Sequence, residues 1–177
     1  MKTLYLLRHA KSSWEDPHWD DFDRPLAPRG IKACKQMKAY LKQNKIKPDL
    51  IICSPAERAR ETCMRIAGAF SRKTEIKFEH TLYDANSQTL LKRLRRVDRK
   101  VSSIMMIGHN TALEHFALAL TSGTETKSLA RMRKKYPTLA LASIKFQRGT
   151  WASASPGCAR LSDFVVPRDL KGGKVKK

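Results

Sequence analysis

A chain of 177 residues, 41% of them hydrophobic and gathered in short separated runs, carries enough apolar material for one packed domain, read here as residues 1–168 followed by a basic tail over 169–177. Its four cysteines, Cys34, Cys53, Cys63 and Cys158, are dispersed without a CxxC pair, and no apolar run reaches signal-peptide or membrane-spanning length. This argues against a zinc fold, a disulfide framework and a membrane protein, so a soluble, cytoplasmic chain is expected. The net charge of +20 attracts phosphates, acidic proteins and nucleic acid alike and does not choose among them. Much of it is expected to coat solvated helix faces such as KACKQMKAYLKQNK.

In chain order, residues 4–7 read as a short buried strand, and Ile31, Cys34, Met37 and Leu41 then recur at helical spacing. Residues 49–53 read as a second strand. Ser54-Pro55-Ala56-Glu57 matches a helix start, with Ser54 as N-cap, Pro55 at the first helical position and Glu57 closing a capping box. Ala59, Cys63, Ile66, Ala67 and Phe70 continue that helix, and residues 76–78 add a further strand. Asn86-Ser87 caps a helix carrying Leu90, Leu91, Leu94 and Val97. A strand over 103–107 and a helix with Leu113, Phe116, Ala117 and Leu120 follow. Residues 140–146 and 160–166 flank Arg148-Gly149 and Pro156-Gly157 and read as an antiparallel addition at one edge. The fold class is therefore α/β, a three-layer α/β/α arrangement with a mostly parallel central sheet flanked by helices.

Three of these strands end in residues able to do chemistry: Arg8-His9, Ser54 with Arg58, and Gly108-His109-Asn110. Ligands of open α/β sheets bind outside the carboxyl ends of the strands, so the three ends converge on one crevice. Arg58 falls in the first turn of its helix, where free N–H groups, the helix dipole and a guanidinium together make an anion site. An ordinary cap with a solvated arginine is the competing reading.

Together, Leu7-Arg8-His9-Ala10, the run from Ser54 to Thr62 (SPAERARET) and Ile107-Gly108-His109-Asn110 resemble the motifs of the histidine phosphatase superfamily, with its phosphoglycerate-mutase-like fold. Arg24-Pro-Leu-Ala-Pro-Arg-Gly30, Leu82-Tyr83 and the short length look most like SixA-type phosphohistidine phosphatases. The resemblance implies that His9 is the nucleophile, that Arg8 and Arg58 hold the phosphoryl oxygens, and that a protonated His109 stabilises the transferring group from the other side. Neighbouring arginines would keep His9 neutral, and a backbone carbonyl bound to its other ring nitrogen would fix its tautomer. Phosphoryl transfer in such a pocket requires positioning and positive charge, so no cofactor and no metal are expected. His18, His80 and His115 are read as surface or packing residues.

The chain departs from parts of that pattern. Ala10 follows the nucleophile where many relatives have glycine, and Glu15 follows Ser12-Ser13-Trp14 where mutase-like members place a phosphate-touching asparagine, so Glu15 should point away. The family's acidic proton donor is best matched by Asp84, which reads equally as a turn residue, with Asp21 and Asp23 as further candidates. A phosphoramidate releases a better leaving group than an alkyl phosphate, so a weak or absent acid points to phosphohistidine. Three readings stand: a phosphohistidine phosphatase acting on a signalling or phosphotransfer protein, such as a histidine phosphotransfer domain; a small-molecule phosphomonoesterase; and a non-catalytic protein binding a scaffold or nucleic acid. A monomer is expected, with no membrane partner and nucleic acid bound only nonspecifically.

Overall fold

The structure, a computed structural model, describes residues 1–147 and 149–170. Arg148 and most of the expected tail, from residue 171 onward, lie outside the described residues. Asp169 and Leu170, expected to open that tail, belong instead to a 3-10 turn over Pro167–Leu170. Leu170 is buried there and Asp169 accepts from Arg131 at 2.6 Å.

Strands β1 (Lys2–Arg8), β2 (Leu50–Cys53), β3 (Glu75–Phe78), β4 (Ser103–Gly108), β5 (Leu141–Phe146) and β6 (Arg160–Val165) form one sheet in the order β3-β2-β4-β1-β5-β6. The first four are mutually parallel; β5 runs antiparallel to β1 and β6 antiparallel to β5, which is the expected edge addition. Helices α1 (Pro28–Gln43), α2 (Glu57–Ile66), α3 (Ser87–Arg95) and α4 (Ala112–Leu120) fall where the apolar spacing put them. A fifth, α5 (Lys127–Lys134), was not read from the sequence, because only Leu129 and Met132 mark its buried face. Its start is nevertheless signalled by Thr126, whose hydroxyl accepts from the Leu129 amide at 3.1 Å.

Central strands buried on both faces explain the continuous apolar runs. Leu4 and Leu6 of β1 and Ile104 and Met106 of β4 face a core built with α3, α4 and α5. Leu7, Met105 and Ile107 face a second core built with α1 and α2, through Cys34, Met37, Leu41, Cys63 and Ile66. Each such buried aliphatic side chain contributes roughly 1.5–3 kcal/mol of transfer free energy, so the two cores clamp the sheet between them.

The β1 ladder does not stop at Arg8. The His9 amide donates to the Gly108 carbonyl at 3.0 Å and the Ser54 amide to the Ile107 carbonyl at 2.9 Å, so the three strand ends stay in register beyond their strands. The chain after His9 then turns back: Ser13 N–H donates to Pro25 O at 2.8 Å and Ala27 N–H to Lys11 O at 2.9 Å. Gly30, in the first turn of α1, packs directly on Lys11; a Cβ there would lie 2.2 Å from the Lys11 carbonyl oxygen. That oxygen is backbone and cannot rotate away. Gly30→Ala is therefore expected to cost about 1–3 kcal/mol of stability, as overpacking does, read as a lower urea midpoint, with a parallel loss of activity as the loop after His9 shifts.

Candidate active site

Because β2, β4 and β1 are adjacent and parallel, their carboxyl ends deliver Ser54, His109 and Arg8-His9 side by side. The His9 and His109 rings lie 5.1 Å apart between centroids. His9 and Arg58 are only 7% and 5% exposed, so both groups work out of bulk water. The turn at Ala10 is held by α2: Ala10 N–H donates to Thr62 Oγ1 at 3.0 Å, and the same hydroxyl donates to the Arg58 carbonyl at 2.6 Å. Thr62 is one helical turn beyond Arg58, so one helix fixes both the arginine and the backbone beside the histidine.

His9 Nδ1 lies 2.7 Å from the carbonyl oxygen of its own neighbour, Ala10. A carbonyl can only accept, so the proton sits on Nδ1 and the lone pair on Nε2. Burial pushes the His9 pKa down to about 3, with His109, Arg58 and Arg8 adding to that effect against the opposing bond to Ala10. Neutrality was expected from the arginines; burial is the larger cause. For His109, burial first and then Arg58, with Asp21 opposing and Arg8 and Arg24 adding, lower the pKa to about 4, so the crevice by itself disfavours the protonated imidazole that the resemblance implies.

Ser54 is not the helix cap that its sequence context suggests. α2 begins at Glu57 with Ala56 in the N-cap position and no side-chain cap, because the Ser54 hydroxyl sits 2.7 Å from His109 Nε2 and accepts from the Ala56 amide at 3.3 Å. Arg58 remains in the first turn. Arg8 donates to the Tyr136 carbonyl at 2.9 Å, which also accepts from Asn110 at 3.2 Å. Arg8 Nε, Arg58 Nε and His109 Nδ1 are buried without a partner among the described residues. Buried donors are normally satisfied, so three orphans within one cluster of cationic and imidazole groups suit an oxyanion.

Asp21 enters the site through contacts that sequence spacing does not encode. Its Oδ2 accepts from Arg58 Nη2 at 2.9 Å and from the Tyr83 hydroxyl at 2.9 Å, its Oδ1 accepts from Arg24 at 2.7 Å, and its backbone carbonyl also accepts from Arg58. Partial burial raises its pKa somewhat, but the bonds from Arg24, Tyr83 and Arg58 win and hold the carboxyl well below the usual range. Arg24 is itself buried, bonded to Ser12 Oγ at 2.8 Å and stacked 3.5 Å from the Trp14 ring centroid. Tyr83 stands edge-on to His109 at 5.5 Å and to Phe22 at 5.0 Å. Arg24 and Tyr83 lie within motifs quoted from the sequence, yet neither signals this tie to Asp21.

The other candidates fall outside this network. Asp84 is exposed, one residue after Tyr83, and its side chain makes no hydrogen bond among the described residues; neither does that of Asp23. Glu15 is exposed, and its side chain makes no hydrogen bond among the described residues. His18 pairs with Asp16 at 2.9 Å, His80 stacks on Phe22 at 5.7 Å, and His115 is exposed, so all three are surface or packing residues.

Known proteins match both sequence and fold. The family model for the histidine phosphatase superfamily (branch 1) matches residues 4–90. A Mycobacterium tuberculosis protein of uncharacterised function is 35% identical over 164 residues, which cover 92% of this chain and 100% of that protein. The crystal structure of a candidate phosphohistidine phosphatase SixA from Agrobacterium tumefaciens is 30% identical, with a TM-score of 0.77 over 94% of this chain and 98% of that one. A protein histidine phosphatase SixA solved with tungstate shares the fold at TM-score 0.77 and 19% identity, over 96% of this chain and 99% of that one. This agreement in sequence and in a phosphoglycerate-mutase-like fold extends over nearly the whole length, and the chain belongs to the histidine phosphatase superfamily.

Proposed function

We propose that this phosphatase hydrolyses a phosphohistidine carried by a signalling or phosphotransfer protein, through a covalent phosphohistidine on His9. The observation that carries the reading is the state of Asp21. Among the described residues it is the carboxylate that reaches Arg58, and three donors hold it ionised, so it is a poor proton donor. Alkoxide leaving groups need a positioned acid; a phosphohistidine does not. Once solvent protonates its second ring nitrogen, it leaves as neutral imidazole.

The chemistry balances with the groups present. His9 Nε2 attacks phosphorus in line while the substrate P–N bond breaks and its electron pair returns to the departing imidazole. The phosphorylated His9 ring keeps its Nδ1 proton on the Ala10 carbonyl, so water then attacks phosphorus, gives up a proton to solvent, and neutral His9 departs. Arg8 and Arg58 neutralise the equatorial oxygens. The Ser54 hydroxyl lies between the Ala56 amide, from which it accepts, and His109 Nε2; with Ser54 donating to that nitrogen, His109 carries its proton on Nδ1 and can donate it to a phosphoryl oxygen. The binding of tungstate, a tetrahedral oxyanion, by a SixA protein of the same fold supports a phosphate-shaped site here.

The direct test offers the protein a phosphohistidine-bearing phosphotransfer domain, para-nitrophenyl phosphate and sugar phosphates in parallel. Wild type is expected to prefer the phosphoprotein and to carry acid-labile phosphate on His9. His9→Ala is expected to lose at least about 10³-fold in kcat/KM. Hydrolysis of small esters alone would overturn the protein-substrate reading, and unchanged activity in His9→Ala would overturn the intermediate.

Asp84 decides the question of the acid. Asp84→Asn should leave phosphohistidine hydrolysis within about twofold, whereas a loss of about 10²-fold or more would make Asp84 a general acid and favour ester substrates.

The pH behaviour follows from the two downward histidine shifts, to about 3 for His9 and about 4 for His109. Between the ordinary histidine range and those values the unfolded chain binds protons that the native state does not, so stability falls as pH drops through that window. Nitrogen NMR should show neither ring titrating near pH 6.5 in the free protein. The urea midpoint should fall from pH 7 towards pH 4, and it should fall less when both histidines are replaced by asparagine.

A further inference from the structure

A cavity of about 480 Å³ opens beside the crevice, on the edge addition of the sheet, between the end of α5 and the chain that leaves β6. Register puts it at the catalytic end: Leu141 at the start of β5 pairs with both Leu7 and Val165, so residues 137–140 and 166–170 project beyond the strand end that carries His9. The wall segment Pro137-Thr138 is bracketed by two residues tied to the active site. Tyr136 accepts from Arg8 at 2.9 Å, and the Leu139 amide donates to the Arg8 and His9 carbonyls at 3.1 Å each.

The lining has two chemistries. Phe164, Val166, Pro137 and Pro167 supply an apolar floor, while Lys134, Lys135 and Arg168 stand exposed around it. Arg131, also in the lining, is already engaged by Asp169 at 2.6 Å. The three exposed cations make no ion pair among the described residues. Volume and lining match those of ligand sites, which combine an apolar body with a few placed polar groups.

We propose that this cavity docks an acidic, partly apolar segment of the phosphorylated protein substrate, seating an aliphatic or aromatic side chain on the Phe164–Val166 floor with carboxylates against Lys134, Lys135 and Arg168. The inference rests on the protein-phosphohistidine reading above and adds how the partner is chosen. A single-stranded nucleic acid fits less well, because it stacks successive bases on several aromatic faces and the lining holds one aromatic residue, Phe164. The cations sit at the rim, where charges mainly steer encounter and select partners.

The test uses two synthetic peptides of equal length, each with one phosphohistidine, flanked either by glutamate and leucine or by serine and glycine. Para-nitrophenyl phosphate serves as the substrate that cannot reach the cavity. Wild type should cleave the acidic-apolar peptide with at least about tenfold higher kcat/KM, a preference that weakens with added salt. The triple variant Lys134→Glu, Lys135→Glu, Arg168→Glu, and a milder glutamine version, should lose the preference while keeping para-nitrophenyl phosphate hydrolysis, which also reports an intact fold.

Equal cleavage of both peptides by wild type, or a preference that survives in the triple variant, overturns the docking site and leaves the phosphohistidine reading standing. Cleavage of neither peptide, with the small ester hydrolysed, overturns both. Oligothymidylate binding that the triple variant abolishes, with the peptide preference intact, assigns the cavity to nucleic acid instead.

Discussion

The amide of His9 donates to the carbonyl of Gly108 one step past the end of the β1–β4 ladder, and the site is organised around that bond. It locks the two histidine-bearing turns side by side, and the equivalent bond from Ser54 to Ile107 adds the turn that leads to Arg58. Without parallel pairing of β2, β4 and β1, the three turns would emerge at different ends of the sheet. The cores on either side exist for the same reason, since strands paired in the middle of the sheet must be covered on both faces.

This placement forces an electrostatic consequence. Two imidazoles and two guanidiniums share a small, poorly solvated volume, and burial first, with the arginine charges adding to it, disfavours a proton on either histidine. The crevice thereby combines positive charge with an unprotonated His9 Nε2. Asp21 answers that charge from outside, bonded to Arg58, Arg24 and Tyr83 at once. Its carboxylate and its backbone carbonyl hold the arginine in place as acceptors.

The large positive charge of the chain takes on a local meaning at the edge of the sheet. Some of the lysines, such as Lys32, Lys35, Lys38 and Lys42 of α1, lie along one helix, where charge is diffuse. Beside the segment that ties Tyr136 and Leu139 to Arg8, by contrast, cations surround an apolar floor within two residues of contacts to the active site. A surface of that kind suits a partner that presents both carboxylates and a side chain to bury, which small phosphate esters do not.

Much of this was legible in the sequence. Apolar periodicity gave every strand and four of the five helices, because both depend on spacing within one segment, and the strand-end residues His9, Arg58 and His109 followed from where those segments stop. The cap at Ser54 misled because a capping pattern is local, while the hydroxyl is claimed by His109, 55 positions away. The weakly patterned α5 went unread because its two buried side chains are too few to make a period. Asp21 meets Arg58 across 37 residues and Tyr83 across 62, distances at which spacing carries no information. The sequence by itself determined the strands, four of the five helices and the polar residues that end three of the strands. Only the tertiary structure decided which carboxylate reaches the arginine, which hydroxyl holds His109 and how far burial lowers both histidines, since each depends on groups brought together by the sheet.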